Sequence, residues 1–223
     1  MNAQKKVLIT GGARGIGAAI AHELKARGFQ VIAPSRSELD LSKPASVENF
    51  LKNNSLAVDV LVNNAGINVL KSLSDLDGAT WGEMLQVNLS APLRLIQAVA
   101  PHMQKLKWGR ILNLSSVFSL VTKENRAGYS MSKAGLNALT RSAAVELGQH
   151  GILVNALCPG YVDTELTRKN NSPADLEKIQ ETIPLRRLAQ AEELARVAAF
   201  LCSEENSYLT GQMVVVDGGF TCK

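Results

Sequence analysis

Residues 6–17 read KVLITGGARGIG, a short apolar run that passes directly into a glycine-rich turn. Apolar residues then recur at Ile20 and Leu24 with a helical period that ends near Gly28. The stretch predicts a strand, a tight turn and a helix. Such a turn brings backbone N–H groups and a helix N-terminus to one point, where a pyrophosphate can bind without a side chain in the way.

The rest of the chain repeats this alternation of apolar strand and amphipathic helix. Strands are predicted at residues 30–33, 58–62, 110–116, 152–157 and 210–217, and helices at residues 44–53, 77–105 (broken at Pro92), 129–149 and 192–203. No linker, internal repeat or low-complexity tract interrupts them, so the 223 residues favour a single domain, residues 1–223. The alternation predicts an α/β fold with a doubly wound parallel sheet between two helical layers, in three α/β/α layers.

The chain is unusually short after the second predicted strand. A crossover helix between parallel strands needs about a dozen residues, and there is no room for one between Arg36 and Asp40. We therefore expect a shortened region after strand 2, with a third strand reduced to a stub at residues 38–41.

Chemistry is concentrated in residues 110–133. The apolar run RILNLSS ends in Ser116, and Tyr129 and Lys133 follow four positions apart in a helical context. One helical face should therefore carry both side chains. An ammonium beside a phenol lowers the phenol's pKa from its usual value of about 10, as a general acid or base requires. Taken alone, such a pair is common in ordinary helices.

The wider pattern supplies the context that the pair lacks. It consists of the spacing T-G-x-x-x-G-x-G at residues 10–17, NNAG at 63–66, Asn88, Ser116, the Tyr129/Lys133 pair and Pro159-Gly160. With these features the chain resembles the classical short-chain dehydrogenase/reductase family over essentially its whole length. The resemblance implies a Rossmann-like fold and an NAD(P)-dependent oxidoreductase that interconverts a ketone and a secondary alcohol.

The resemblance also implies roles for individual residues. Ser116 would bind the substrate oxygen, Tyr129 would act as general acid or base, and Lys133 would bind the nicotinamide ribose and lower the Tyr pKa. Asn88 would kink its helix and hold a water in the proton path, although such an amide is more often structural. The implied cofactor-binding residues are Gly11, Arg14, Gly15, Ile16, Gly17, Ser35, Arg36, Asp40, Leu41, Asn64, Ala65, Gly66, Tyr129, Lys133, Pro159, Gly160, Val162 and Thr164.

The second predicted strand decides the cofactor preference. An acid at its end would take the ribose hydroxyls of NAD, but Ser35-Arg36 stands there instead. Arg36 and Arg14 suit the extra phosphate of NADP(H), because guanidinium groups bind phosphate in a bidentate manner. NADP(H) is therefore the preferred cofactor. An NAD preference stays open because Glu38 and Asp40 follow closely, and either Arg could be a solvated charge.

Composition bounds the partners and the location. The net charge of +4 comes from dispersed Lys and Arg, which favours anionic cofactor phosphates over nucleic acid. No leader and no membrane-length apolar run is recognised, so we expect a cytoplasmic protein without a membrane partner. Three cysteines without ligand spacing predict neither a disulfide framework nor a metal site, and Cys158 is expected to be a small buried residue.

The substrate is the least determined feature. Residues 165–184 are polar and are expected to form a substrate lid. Arg110 and Arg168 resemble the basic residues with which 3-oxoacyl-carrier-protein reductases meet an acidic carrier, so a carrier-bound 3-oxoacyl thioester is one candidate. Another small ketone, such as a sugar, is the second. A catalytically silent cofactor-binding sensor or scaffold and a sugar-nucleotide epimerase are the rival classes.

The resemblance implies a homotetramer, with a homodimer as the alternative. The helices at residues 77–105 and 129–149 have more apolar surface than one face of the sheet can cover.

Overall fold

A computed structural model describes residues 4–222. Its first strand, β1 (Lys6–Ile9), leads through the glycine turn into α1 (Gly15–Ala26). The turn depends on glycine, because Gly11 and Gly15 have φ values of +65° and +54°, which other residues rarely adopt. Beyond the turn, Ile20 and Leu24 are fully buried. The predicted strand, turn and helix are confirmed.

The remaining elements follow the predicted alternation closely. The other strands are β2 (Gln30–Ile32), β3 (Val60–Asn63), β4 (Gly109–Leu114), β5 (Ile152–Pro159) and β6 (Met213–Val216). The other α-helices are α2 (Pro44–Asn53), α3 (Gly78–Leu85), α4 (Ala91–Leu106), α5 (Ala127–Leu147), α6 (Glu165–Lys169), α7 (Pro173–Thr182) and α8 (Ala191–Cys202).

All neighbouring strands pair in parallel, in the order β2-β1-β3-β4-β5-β6. Alternate residues of each strand enter opposite cores, as the pleat requires. Leu8 packs in one core with α2, α4 and α5. Val7 and Ile9 pack in the other with α1 and α8. The doubly wound, three-layer α/β/α fold is therefore confirmed.

The predicted stub strand at residues 38–41 is wrong. These residues form turns, and the sheet ends at β2, which has three residues. Leu39 and Leu41 are nevertheless buried beside α2. Gln86 donates a hydrogen bond to the Leu41 carbonyl at 3.1 Å. The short connection explains why no strand forms there. A parallel strand must begin at the same edge of the sheet as β2, and the chain cannot return to that edge in so few residues.

The long helical region at residues 77–105 is interrupted before Pro92 and not at it. A π-helical turn, Gln86–Ser90, joins α3 to α4 and contains Asn88. Pro92 has no N–H to donate to the carbonyl of Asn88, four residues earlier, so the regular α-helical bond is lost there. The predicted kink therefore has a backbone cause.

Residues 165–184, predicted as the substrate lid, contain α6 and α7. The segment is less polar in its contacts than its sequence suggests, because Ile179 and Ile183 pack with Phe118 and Tyr161. Within residues 4–222, no helix is both long and apolar enough to cross a bilayer.

Candidate active site

The carboxyl end of β4 and the first turns of α5 bring Ser116, Tyr129 and Lys133 together. Ser116 is buried, and its hydroxyl accepts a hydrogen bond from Phe118 N at 3.2 Å at the start of a 3₁₀ turn. The same hydroxyl is close enough to Tyr129 for a hydrogen bond that favours the phenolate. The three residues from two predicted elements thus form one cluster.

Lys133 is buried behind the tyrosine, with 3% of its surface exposed. Its Nζ donates to the Leu114 carbonyl at 2.6 Å and lies 5.8 Å from the centroid of the Tyr129 ring. Burial disfavours the ammonium and lowers the pKa of Lys133 to about 8. Gly66 leaves room for it, because a Cβ there would lie 3.3 Å from Nζ.

The pKa of Tyr129 differs from the sequence prediction. Burial raises it above its usual value, and the opposing effects of the Ser116 hydrogen bond and the Arg126 charge do not offset this. Helical spacing correctly places Lys133 beside the ring. It does not reveal that the ammonium is directed to the Leu114 carbonyl and that both groups lose solvation.

Asn88 links the π-helical turn to α5. Its Oδ1 accepts from Ile67 N at 2.9 Å, and its Nδ2 donates to Ile67 O at 2.9 Å and to Ser132 Oγ at 3.0 Å. Ser132 Oγ in turn donates to the Tyr129 carbonyl at 2.8 Å. The side-chain amide therefore has a structural role in fixing the helix that carries Tyr129. The sequence did not single out Ser132.

The glycine turn has the shape that a dinucleotide pyrophosphate needs. A Cβ on Gly17 would lie 2.3 Å from the Gly11 carbonyl, so no side chain fits between turn and helix. Asn64 holds the turn, since its Nδ2 donates to Thr10 O at 2.9 Å and to Gly11 O at 3.0 Å. Ile16 packs on the core, and Ala65 N donates to Thr10 Oγ1. These residues fit a nicotinamide dinucleotide.

The predicted adenosine-side residues lie around the turn after β2. Ser35 donates through N and Oγ to the Glu38 carboxylate, at 2.7 and 2.8 Å. Asp40 accepts from Ser42, and Arg36 lies 3.5 Å from it while keeping 78% of its side chain exposed. Both a guanidinium and a carboxylate therefore lie at the turn after β2, where the adenosine ribose is expected.

The predicted nicotinamide-side residues follow β5. Gly160 is required by a close approach, because a Cβ there would lie 2.7 Å from that of Asp217. Pro159 ends β5, and Val162 is buried and bridges to Ala189. Thr164 caps α6 by accepting from Thr167 N at 3.3 Å.

The beginning of the predicted lid faces the glycine turn. A Cβ on Gly15 would lie 3.6 Å from Thr164 Cγ2, and Arg14 pairs with Glu165 at 2.7 Å. Gly15 and Thr164, two predicted cofactor contacts that are far apart in sequence, therefore lie next to each other.

The proposed carrier contact at Arg110 is wrong. Arg110 is 5% exposed, and its guanidinium donates to the carbonyls of Ser203 at 3.1 Å and Asn206 at 2.8 Å. It anchors the loop after α8 to β4 and cannot reach a partner. Arg168 is exposed and makes two hydrogen bonds to Asp163, at 2.8 and 2.9 Å.

Sequence reasoning also missed Arg126, one turn before Tyr129. It is 4% exposed, and its Nε has no hydrogen-bond partner among residues 4–222. The available signal was an arginine only three positions before Tyr129. Cys158 is buried, as expected. In the described part of the chain, no group of three or more His, Cys, Asp and Glu is arranged to hold a metal ion.

Comparisons with known proteins agree with this geometry. Residues 37–221 match the family model described as enoyl-(acyl carrier protein) reductase, and residues 5–50 match that described as short chain dehydrogenase. The 3-oxoacyl-[acyl-carrier-protein] reductase of Salmonella typhimurium is 38% identical over 236 aligned residues, which cover 96% of each chain. That of Escherichia coli is 37% identical, with 98% of each chain covered.

Solved structures of similar sequence share the fold over nearly the whole chain. The TT0495 protein of Thermus thermophilus is 40% identical, with a TM-score of 0.90 and both chains fully covered. A protein of Beutenbergia cavernae described as an NAD(P)-dependent gluconate 5-dehydrogenase, with bound NADP, is 32% identical with a TM-score of 0.93, covering 100% of this chain and 98% of its own.

Proposed function

Because the chain belongs to the short-chain dehydrogenase/reductase family, we propose that it is an NADP(H)-dependent enzyme that interconverts a ketone and a secondary alcohol. Its general class, an oxidoreductase, follows from the family. The observation that carries the proposal is the convergence of Ser116, Tyr129 and Lys133 at the carboxyl end of β4. A silent sensor or scaffold would not need this cluster.

The chain's own residues divide the work of binding and proton transfer. The glycine turn, with Gly11, Gly15 and Gly17, would hold the cofactor pyrophosphate, and Lys133 would bind the nicotinamide ribose. A bound nicotinamide supplies or accepts the hydride. Ser116 would donate a hydrogen bond to the substrate oxygen and orient it toward Tyr129.

Tyr129 would be the general acid or base. Its raised pKa keeps the phenol protonated at neutral pH, so it can donate a proton to the oxygen of a ketone undergoing reduction. In the oxidation direction the phenol must first lose its proton, and Arg126 and Ser116 favour the phenolate. Reduction should therefore be the easier direction at neutral pH.

NADP(H) is the preferred cofactor in this proposal. Arg36 and Arg14 are 78% and 80% exposed, although they pair with Asp40 and Glu165 respectively, and their guanidinium groups would suit a 2′-phosphate. The relative from Beutenbergia cavernae has NADP bound. One observation favours NAD as the alternative, because the Glu38 carboxylate at Ser35 would repel that phosphate.

Two substrate classes are supported by different observations. The curated relatives named as 3-oxoacyl-carrier-protein reductases favour a 3-oxoacyl thioester. The structural relatives named as gluconate 5-dehydrogenases favour a small polyhydroxy or oxo acid. The burial of Arg110 removes one of the two arginines that suggested a carrier protein.

The test measures the turnover of a panel of ketones with NADPH. The loss of NADPH absorbance gives the rate. Tyr129→Phe should lower kcat by at least about 1,000-fold while cofactor binding changes little, because one proton is removed and the shape is kept. Tyr208→Phe is the matched control, since Tyr208 is 96% exposed. A kcat of Tyr129→Phe within tenfold of the parent would refute the mechanism.

For assembly we propose a homotetramer in which α4 and α5 pair across a two-fold axis. Leu93 on α4 and Val145 on α5 are 39% and 83% exposed, so both present apolar surface that such pairing would cover. A cytoplasmic location, and residues 165–184 acting as a substrate lid, stay predictions.

A further inference from the structure

A cavity of about 370 Å³ lies between the loop before α5 and the predicted lid. Its walls include Lys123, Arg126 and Lys178, three cations from two separate segments of the chain. This volume is sufficient for part of a small ligand.

Arg126 is the unusual member of the cavity wall. Its guanidinium stays charged at all relevant pH values, yet it is 4% exposed and its Nε is unpartnered among residues 4–222. Tyr161 and Tyr129 are the ionisable side chains close to it, and its Cζ lies 5.0 Å from the centre of the Phe118 ring. A buried charge without an ion pair is costly, so such groups are usually paired with an anion.

The acids that line the cavity do not supply this anion. Asp175 is engaged in the cap of α7, where its carboxylate accepts from Ser172 N at 3.1 Å and from Ser172 Oγ at 2.6 Å. Glu124 is exposed to solvent. Lys123 and Lys178 are also exposed and add positive charge at the mouth of the cavity.

We infer that this cavity binds a carboxylate of the substrate, with Arg126 as its main partner. The inference rests on the proposed function and narrows it to small oxo acids and the corresponding hydroxy acids. Arg126 is one helical turn from Tyr129, and Ser130 N donates to its carbonyl at 2.8 Å. The charge of Arg126 also acts on the Tyr129 phenol, so a carboxylate bound to Arg126 would lie close to the carbonyl that Tyr129 protonates. A fork of N–H donors also matches a carboxylate in shape.

The test compares two acids with their neutral counterparts. The value of kcat/KM with NADPH is measured for acetoacetate, 4-oxopentanoate and the methyl ester of each. Each measurement is made on the parent and on Arg126→Gln. The variant should lose about 10- to 100-fold in kcat/KM on the preferred acid and change less than threefold on its ester, as expected for a lost charge-assisted hydrogen bond. Arg126→Lys should recover part of the loss. Arg196→Gln, which removes an exposed arginine of α8, should leave both substrates unchanged.

Two further measurements keep the outcome decisive if Arg126→Gln folds poorly. The double variant Lys123→Gln and Lys178→Gln changes only exposed side chains and should weaken use of the acid about three- to tenfold while sparing the ester. Malonate and inorganic phosphate should also be titrated calorimetrically, and malonate should bind more tightly to the parent than to Arg126→Gln.

The results separate the inference from the function on which it rests. An equal loss on acid and ester in a folded Arg126→Gln would assign the arginine to the Tyr129 phenol and overturn the inference. So would an unchanged acid preference in the lysine double variant, or binding of phosphate without malonate. If no ketone is reduced while malonate binding still requires Arg126, the site stands and the proposed oxidoreductase function fails.

Discussion

Replacing Lys133 by methionine should stabilise the protein while it abolishes turnover. Burial lowers the pKa of Lys133 from 10.5 to about 8, and this difference of about 2.5 pH units corresponds to roughly 3 kcal/mol at neutral pH. Methionine has a similar length and no charge. It loses the hydrogen bond from Nζ to the Leu114 carbonyl, worth about 1 kcal/mol. We therefore expect Lys133→Met to be about 2 kcal/mol more stable at pH 7.

The effect should depend on pH in a defined direction. Below about pH 8 both the folded and the unfolded parent hold the lysine proton, and the full cost of burial is present. Between about pH 8 and 10.5 the folded parent releases the proton while the unfolded chain keeps it, so the parent's stability rises relative to the variant. The difference in unfolding free energy should fall to about zero near pH 10.

Urea unfolding at pH 7 and pH 10, at one protein concentration, measures this difference. Lys105→Met, at an exposed position of α4, is the control and should show no such pH dependence. The reasoning would be refuted if Lys133→Met were less stable than the parent at pH 7, or equally stabilised at both pH values. Either result would mean that burial of the Lys133 ammonium does not destabilise the folded protein.

Four further predictions concern the cofactor, the proton and the assembly. Gly17→Ala should weaken NADPH binding at least about tenfold in a fluorescence titration, because its Cβ would lie 2.3 Å from the Gly11 carbonyl oxygen. Unchanged affinity would contradict the proposal that the glycine turn holds the cofactor pyrophosphate. Arg36→Ala should raise KM for NADPH about tenfold and leave KM for NADH unchanged, as initial rates will reveal. The pKa of Tyr129 is raised, so alcohol oxidation should accelerate with pH above neutrality while ketone reduction stays flat until the phenol ionises. Sedimentation at micromolar concentration should give a tetramer, and a stable monomer would count against the apolar pairing of α4 with α5.

The sequence predicted best the features that depend on neighbouring residues. The glycine turn, the helix that carries Tyr129 and Lys133, and the alternation of strands all follow from local pattern and spacing, and the structure confirms them. The kink near Asn88 was also expected, although its cause lies in the missing N–H of Pro92.

The sequence failed where burial decides the property. Arg110 reads as a solvated charge, and only the packing of the loop after α8 encloses it. The pKa of Tyr129 depends on solvation lost in the folded cleft, which spacing along a helix does not report. The stub strand failed for a related reason, because a strand exists only where a partner is within reach.

The strand order also has a consequence for how the chain folds. Every pairing in the sheet is parallel, and the nearest in sequence joins Lys6 to Gln30, while others join Val7 to Val60 and Ala156 to Met213. No strand pair can form from a local hairpin, so each requires the closure of a long loop before any ladder bond compensates for it. Folding should be slow for a chain of this size, and its collapsed intermediates should expose unpaired strand edges. Refolding yield should therefore fall steeply as protein concentration rises, even though β3, β4 and β5 of the native sheet are almost fully buried.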